Sequence, residues 1–261
     1  MANPDPRLAP VPEELPRPVL GVAADWCHGE RIPRHRHRRA QLVYAAEGVM
    51  TVTTADGSWV VPPLRAVWVP GGTDHAIRMA GRVRMRTLYV EPAVRADLPQ
   101  RCCVIGVSPL LREGILRAVA WPRPYPLGGV EERLVAVLLD EIDPTPVAPL
   151  HLPLPADPRL RRVADALLAR PDLELGAAGW ARLAGASPRT LARLFQRETG
   201  MSFGAWRRQL RLLDALERLA AGESVTAVAL SLGYAGPSAF IAMFRRQLGT
   251  TPGDYFADAA R

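Results

Sequence analysis

Lysine is absent from this chain of 261 residues, so all 33 of its basic side chains are arginines. This lack of lysine, beside abundant alanine, arginine and proline, is what a GC-rich genome imposes. Cysteine is scarce. Cys27, Cys102 and Cys103 have no CxxC spacing, and an odd count argues against a disulfide framework. No apolar run approaches the roughly 18 residues that cross a bilayer, and the opening MANPDPRLAPVPEELPRP has no continuous apolar signal core. A cytosolic protein with reduced thiols and no membrane partner is the expectation.

What is present suits one or two packed domains, since 48% of the residues are hydrophobic. The formal charge is +7, and it is uneven: 15 arginines face 10 acids from Asp157 onward, against 18 and 16 before it. A basic C-terminal part fits a phosphate-binding surface.

That part is duplicated. Ala227 to Pro252 reads as a helix-turn-helix, with Val225, Val228 and Leu232 on one face, Gly233 at the turn and Pro237 opening a second helix. A shift of 49 residues superposes Ser187-Pro188 on Gly236-Pro237, Leu191 on Phe240, Phe195 on Phe244 and Gly200 on Gly249. In the upstream copy Ser187 is a good N-cap, Leu191, Leu194 and Phe195 point inward, and Arg189, Ala192, Arg193, Gln196 and Arg197 do not. On one helix such arginines would read as a solvated face. Two copies, joined by an amphipathic helix over 203–221 about 30 Å long, can instead enter successive major grooves of DNA, about 34 Å apart.

The pattern Pro188-x-x-Leu191-x-x-x-Phe195-x-x-x-x-Gly200, followed by Gly233-Tyr234, Phe240-x-x-x-Phe244-Arg245-x-x-x-Gly249-x-x-Pro252, resembles the AraC/XylS family of transcription regulators over about 100 residues. The resemblance implies base reading by Arg189, Ala192 and Arg193 of the first helix and by Ser238, Ala239 and Ala242 of the second. Ser187, Thr190, Gln196, Arg197, Arg245 and Arg246 are then phosphate contacts. Because the second helix offers little beyond one hydroxyl, specificity is expected under the first.

From Val19 to Pro92 the pattern changes to short β-prone runs separated by Asp56-Gly57 and Gly71-Gly72, which predicts a sandwich or barrel. Tyr44, Met50, Val52, Trp59, Trp68, Met85, Leu88 and Tyr89 are candidates for its interior. Gly29-x5-His35-x-His37-x3-Gln41-x6-Gly48 with Pro70-x-Gly72-x2-His75 resembles the two cupin motifs, which converge on a divalent metal inside a jelly-roll barrel. Imidazoles suit Zn, Ni, Cu or Fe. Gln41 replaces the usual carboxylate and Leu64 the usual glycine, which weakens a hard-metal site and argues against redox catalysis. His35, His37, Gln41 and His75 are therefore the candidate metal or effector ligands; with Arg34, Arg36, Arg38 and Arg39 around them, the other reading is a strand edge whose histidines bind an organic acid or merely fill the barrel mouth.

Ser108 to Trp121 and Glu131 to Ile142 read as two helices whose apolar faces either cap the barrel or pair with a second subunit. The expected plan is α+β and multidomain: a flexible segment 1–18, a cupin-like sensing and dimerisation domain 19–143, a proline-rich linker 144–157, and a double helix-turn-helix domain 158–261. The expected function is a non-enzymatic, sequence-specific regulator controlled by a small effector. Its partners are double-stranded promoter DNA, RNA polymerase and a second copy of the chain; no cofactor is required, and a divalent metal such as Zn, Ni or Fe is the candidate for the cupin-like domain. The rival readings are a metal-dependent cupin enzyme with an accessory DNA-binding domain and an architectural DNA-binding protein.

Overall fold

In the computed structural model, residues 16–122, 124–143 and 150–257 are described. Six strands come first: β1 Val19–Trp26, β2 Arg31–His35, β3 Ala40–Thr53, β4 Gly57–Val61, β5 Arg65–Val69 and β6 His75–Val90. After β7 Cys103–Gly106 come α1 Pro109–Ala118 and α2 Val130–Asp140, then β8 His151–Pro153. The remainder is helical: α3 Pro158–Ala169, α4 Ala177–Ala184, α5 Pro188–Thr199, α6 Phe203–Ala220, α7 Val225–Ser231, α8 Pro237–Leu248 and α9 Pro252–Ala257.

The strands form one eight-stranded antiparallel sheet in which the long β3 and β6 are central. β3 pairs with β6 along its length, with β5 through its first half and with β4 through its second. No pairing among the described residues closes the sheet into a complete barrel. Each long strand is interrupted by a glycine at positive φ, Gly48 at 77° and Gly81 at 73°, close to where the β3 and β6 register shifts. A Cβ on Gly48 would stand 2.3 Å from the Arg82 carbonyl oxygen, so the bulge requires glycine. This bulge reverses which residues face inward. Val43 and Ala45 before it, and Met50 and Val52 after it, all join the inner core with Trp59, Met85 and Tyr89. Tyr44, Trp68 and Leu88, the other interior candidates, lie on the opposite face, packed with Leu111 and Ile115 of α1 and Val135 and Leu138 of α2.

Helix α1 therefore covers the sheet within the chain, capped by Ser108, whose hydroxyl accepts from Leu111 N at 3.0 Å. Leu110, Leu127, Val130 and Val137 stay exposed beside it.

The stretch 144–157 is not wholly a linker. Residues 144–149 lie outside the described residues, as do 1–15, but 151–153 are β8, paired with β4. Trp59 and His151 stack across that pair with ring centroids 4.4 Å apart. The helical part is attached here: Trp206 Nε1 of α6 donates to Pro153 O at 2.8 Å, and Leu150, Leu152, Val49 and Val60 join the same hydrophobic cluster as Leu160, Phe195, Trp206 and Phe240. Helix α6 also packs on β3 and β6. At that contact, a Cβ on Gly81 would lie 2.1 Å from the Ala220 carbonyl oxygen.

Leu64 is the one described non-glycine residue at positive φ, 64°, at the position where the cupin-like motif usually carries glycine. An L side chain there costs about 1–2 kcal/mol. Leu64→Gly is accordingly expected to stabilise the fold by up to about 1 kcal/mol after the entropy of the added glycine is set against it. Urea denaturation should show a higher midpoint at unchanged slope; a lower midpoint would mean that the half-exposed leucine side chain contributes more than its backbone costs.

Candidate nucleic-acid interface and histidine site

Helix α5 begins at Ser187, whose hydroxyl accepts from Thr190 N at 3.2 Å and donates to Thr190 Oγ1 at 2.9 Å. It ends on Gly200 in the left-handed region at φ 69°. Leu191, Leu194 and Phe195 are buried, Thr190 is half-buried, and Arg189, Ala192, Arg193, Gln196 and Arg197 are exposed. Arg189 and Arg193 form no ion pair among the described residues, whereas Arg197 meets Glu198 at 3.1 Å. Gln196 donates to Gly200 O at 3.0 Å. The residues named from the sequence thus share one solvent-facing side of a helix anchored by its apolar side.

Helix α8 repeats this with Phe240, Met243 and Phe244 buried and Ser238, Ala239, Ala242, Arg245 and Arg246 exposed. Arg245 and Arg246 also lack an ion pair among the described residues. Pro237 stands in the first turn, where a missing N–H costs nothing, and Gly236 offers no side-chain cap. The supporting helices α4 and α7 precede the turns through Gly185 and Gly233, both at positive φ.

On the sheet, His35, His37 and His75 come together, with one nitrogen of each within 4.8 Å of the others. His35 ends β2 opposite His75 at the start of β6, and His37 lies just beyond the strand in the connection to β3. His75 and Gln41 are fully enclosed, at 0% and 1% exposure. Burial pushes the His75 imidazole down to about 3 and lowers His35 as well, so both rings are neutral at neutral pH.

Each ring is oriented by a carbonyl. His35 Nδ1 lies 2.9 Å from Pro33 O, His37 Nδ1 2.6 Å from Arg39 O, and His75 Nδ1 2.9 Å from Thr73 O. A carbonyl oxygen only accepts, so the Nδ1–H tautomer satisfies these contacts and leaves the lone pair of a neutral ring on Nε2, whereas the Nε2–H tautomer would donate to the Gln41 amide oxygen instead. Gln41 is fixed just as firmly, because its amide donates to Thr87 Oγ1 at 3.0 Å while Thr87 donates to Leu42 O at 2.9 Å. Its Oε1 is thereby turned to His37 Nε2 at 3.1 Å and His75 Nε2 at 3.2 Å. In the Nδ1–H tautomer, electron pairs from the Gln41 amide oxygen and from the imidazole Nε2 atoms converge on one small volume, an arrangement that a cation would relieve.

Thr87 was not evident from the motif. Its place two residues before Tyr89 on β6, with Tyr89 edge-on to His37 at 5.0 Å, is the alternation that reveals it. The neighbouring arginines stay out of the site. Arg38 pairs with Glu91 at 2.5 and 2.6 Å, Arg39 is buried and reaches Glu91 at 3.7 Å, and Arg34 and Arg36 are exposed.

Two family models match the chain. A family model described as an AraC-like ligand binding domain matches residues 20–171, and one described as a helix-turn-helix domain matches residues 180–258. The chain is 41% identical over 226 residues to the HTH-type transcriptional regulator NimR of Escherichia coli (strain K12), covering 86% of this chain and 82% of NimR. It is 36% identical over 121 residues to the HTH-type transcriptional regulator RipA of Corynebacterium glutamicum, covering 46% of this chain and 35% of RipA. Among solved structures, ToxT from Vibrio cholerae is similar over 92% of this chain and 98% of that chain, at 8% identity and a TM-score of 0.39.

The tautomers are open to direct test. Imidazole ¹⁵N spectra of metal-stripped protein should show Nδ1–H for His35, His37 and His75. An Nε2–H tautomer at His75 would mean that it donates to Gln41, and the cluster would then be an ordinary hydrogen-bonded core.

Proposed function

The chain belongs to the AraC family of transcriptional regulators, with an N-terminal ligand-binding domain and a C-terminal helix-turn-helix DNA-binding domain, and on that premise we propose how this member divides its labour. Base reading falls mainly to α5, through Arg189 and Arg193 with Ala192 admitting close approach. Helix α8 chiefly positions the protein, Arg245 and Arg246 lying on phosphates while Ser238, Ala239 and Ala242 face the groove. Ser187, Thr190, Gln196 and Arg197 add phosphate contacts around α5. The observation that carries this is the asymmetry of the exposed faces: α5 offers Arg189 in its first turn and Arg193 at its middle, neither in an ion pair among the described residues, and α8 offers small side chains there and arginines only in its last turn. A good bidentate arginine–guanine pair discriminates by about 1–3 kcal/mol, which a single serine hydroxyl does not match.

The histidine site supports a second element of the reading, a divalent metal such as Zn, Ni or Fe held by His35, His37, His75 and Gln41. The support is the tautomer-fixing hydrogen bonds and the orientation of Gln41. With four neutral ligands the ion keeps its full charge, so its role would be to hold the sensor or to attract an anionic effector; the missing carboxylate disfavours turnover. We read the protein accordingly as a non-enzyme that acts in the cytoplasm on promoter DNA and RNA polymerase. It would work as a homodimer through the α1–α2 face, where Leu110, Leu127, Val130 and Val137 are exposed.

Binding-site selection from random duplexes tests the DNA reading. On the selected site Arg193→Ala should cost about 1–3 kcal/mol and relax one or two base positions, while Arg246→Ala should weaken all sequences alike and reduce the salt slope by about 1. Equal losses on specific and random DNA for both variants would refute the division. For the metal, elemental analysis of purified protein should find a stoichiometric divalent ion that His75→Ala abolishes, and Gln41→Glu should tighten its binding at least about tenfold by restoring an anionic ligand. Retention by His75→Ala equal to the parent would remove the site.

A further inference from the structure

The outer face of the sheet carries a cleft that neither the histidine cluster nor the reading helices use. β2, β6 and β3 run side by side there, and Arg78 is the Cα partner of both Arg31 and Thr51, so these three form a row across the strands. Ala76 and Thr53 form the next row. Ile32, Ile77 and Val52, which alternate with them, belong to the inner core, so these rows point outward. With Pro33 they line a cavity of 540 Å³, the size of a small-molecule site.

The charges in this cleft do not balance. Arginines directly opposed on neighbouring strands repel. Arg78 is compensated by Glu217 of α6 at 2.6 Å, whereas Arg31 meets no carboxylate among the described residues. Glu217 also accepts from the Thr51 hydroxyl. It is a largely buried carboxylate, 13% exposed, while the guanidinium of Arg78 remains 49% exposed toward solvent. The fold thus already seats one carboxylate, from inside, on one of two adjacent arginines, and leaves the other without one at the edge of a cleft that Pro33 and Ala76 also line.

We propose that this cleft binds a small organic anion, a carboxylate with an apolar body held between Arg31 and Arg78, and that its occupancy loosens α6 from the sheet. The two effects are linked through Arg78. A ligand that draws this guanidinium away leaves Glu217 buried without its charge partner, a strongly unfavourable state that separation of α6 from β3 and β6 relieves. The contact given up is the one in which Gly81 lies against Ala220, at the C-terminal end of the helix that spaces the two DNA-binding units. The regulatory consequence rests on the reading of the chain as an effector-controlled regulator; the binding itself does not.

The test uses the full chain, titrated by calorimetry at fixed ionic strength with cyclohexanecarboxylate, succinate and the neutral cyclohexylmethanol. At least one carboxylate should bind saturably, the alcohol not at all, and Arg31→Ala should weaken the carboxylate at least about tenfold, the loss expected for one charge-assisted contact. Arg31 is exposed and forms no ion pair with Glu217, so the variant should fold and bind promoter DNA as the parent does. Hydrogen exchange over 214–221 should rise on saturation in the parent and stay unchanged in Arg31→Ala at the same concentration. No saturable binding of either carboxylate, equal binding of the alcohol, or indifference to Arg31→Ala overturns the site. Binding without faster exchange overturns the link to α6. Failure of the regulator reading would appear separately, as absent promoter selectivity in the unliganded parent.

Discussion

Helix α6 buries Trp206, Gln209, Leu210, Leu212, Leu213, Ala215 and Leu216 over most of its circumference, and the arrangement of both halves of the molecule depends on that burial. Part of this surface closes the helical core with Phe195 and Phe203. Another part, Leu210 and Leu213 beside Glu217, lines a seam with Thr51, Val60 and Leu152 of the sheet. An ordinary surface helix needs one apolar stripe, and this one has polar residues where a second stripe would be. Gln209 and Glu217 occupy those places because each finds a partner across the seam, in the His151 carbonyl and in Thr51 with Arg78. Desolvation raises the Glu217 carboxyl above its ordinary range, and Arg78 opposes that shift, so the seam depends on the ion pair staying intact.

The helical half was legible from the sequence nearly to the residue. The N-cap Ser187, the glycine at the turn and the 3.6-residue spacing of Leu191, Leu194 and Phe195 are local signals, and nothing distant overrides them. The sheet was legible as a class and less so in detail. Gly48 and the Ala80-Gly81 pair read as breaks between short strands, yet they are bulges within the two longest ones. A bulge preserves pairing while shifting the alternation by one residue, which is why Tyr44 and Met50, both apolar and six residues apart, face opposite sides. β8 was hidden for another reason: prolines at 153 and 155 mark the stretch as a linker, and an edge strand of three residues tolerates them.

That His35, His37 and His75 come together was legible because they lie in a short stretch and at one later position, whereas what orients them is backbone. Three carbonyl oxygens, of Pro33, Arg39 and Thr73, fix the rings, and no residue type announces a carbonyl that points the right way. The Arg78–Glu217 pair was equally unreadable. Arginine on a strand and glutamate on a helix 139 positions later are, in sequence alone, two solvated charges. Only the docking of α6 brings them together.

The three residues of β8 have a consequence for dissection of the molecule. β4 is bordered on one side by β3 and on the other by β8, which sits at the chain boundary between the sensing half and the reading half. A fragment ending at the last residue of α2 would leave the outer rim of β4 unpaired, with Trp59 stripped of its stacking ring, and bare rims of that kind recruit other chains. Self-association of such a truncated sensing half would then report a wound made by the cut rather than the habit of the intact protein.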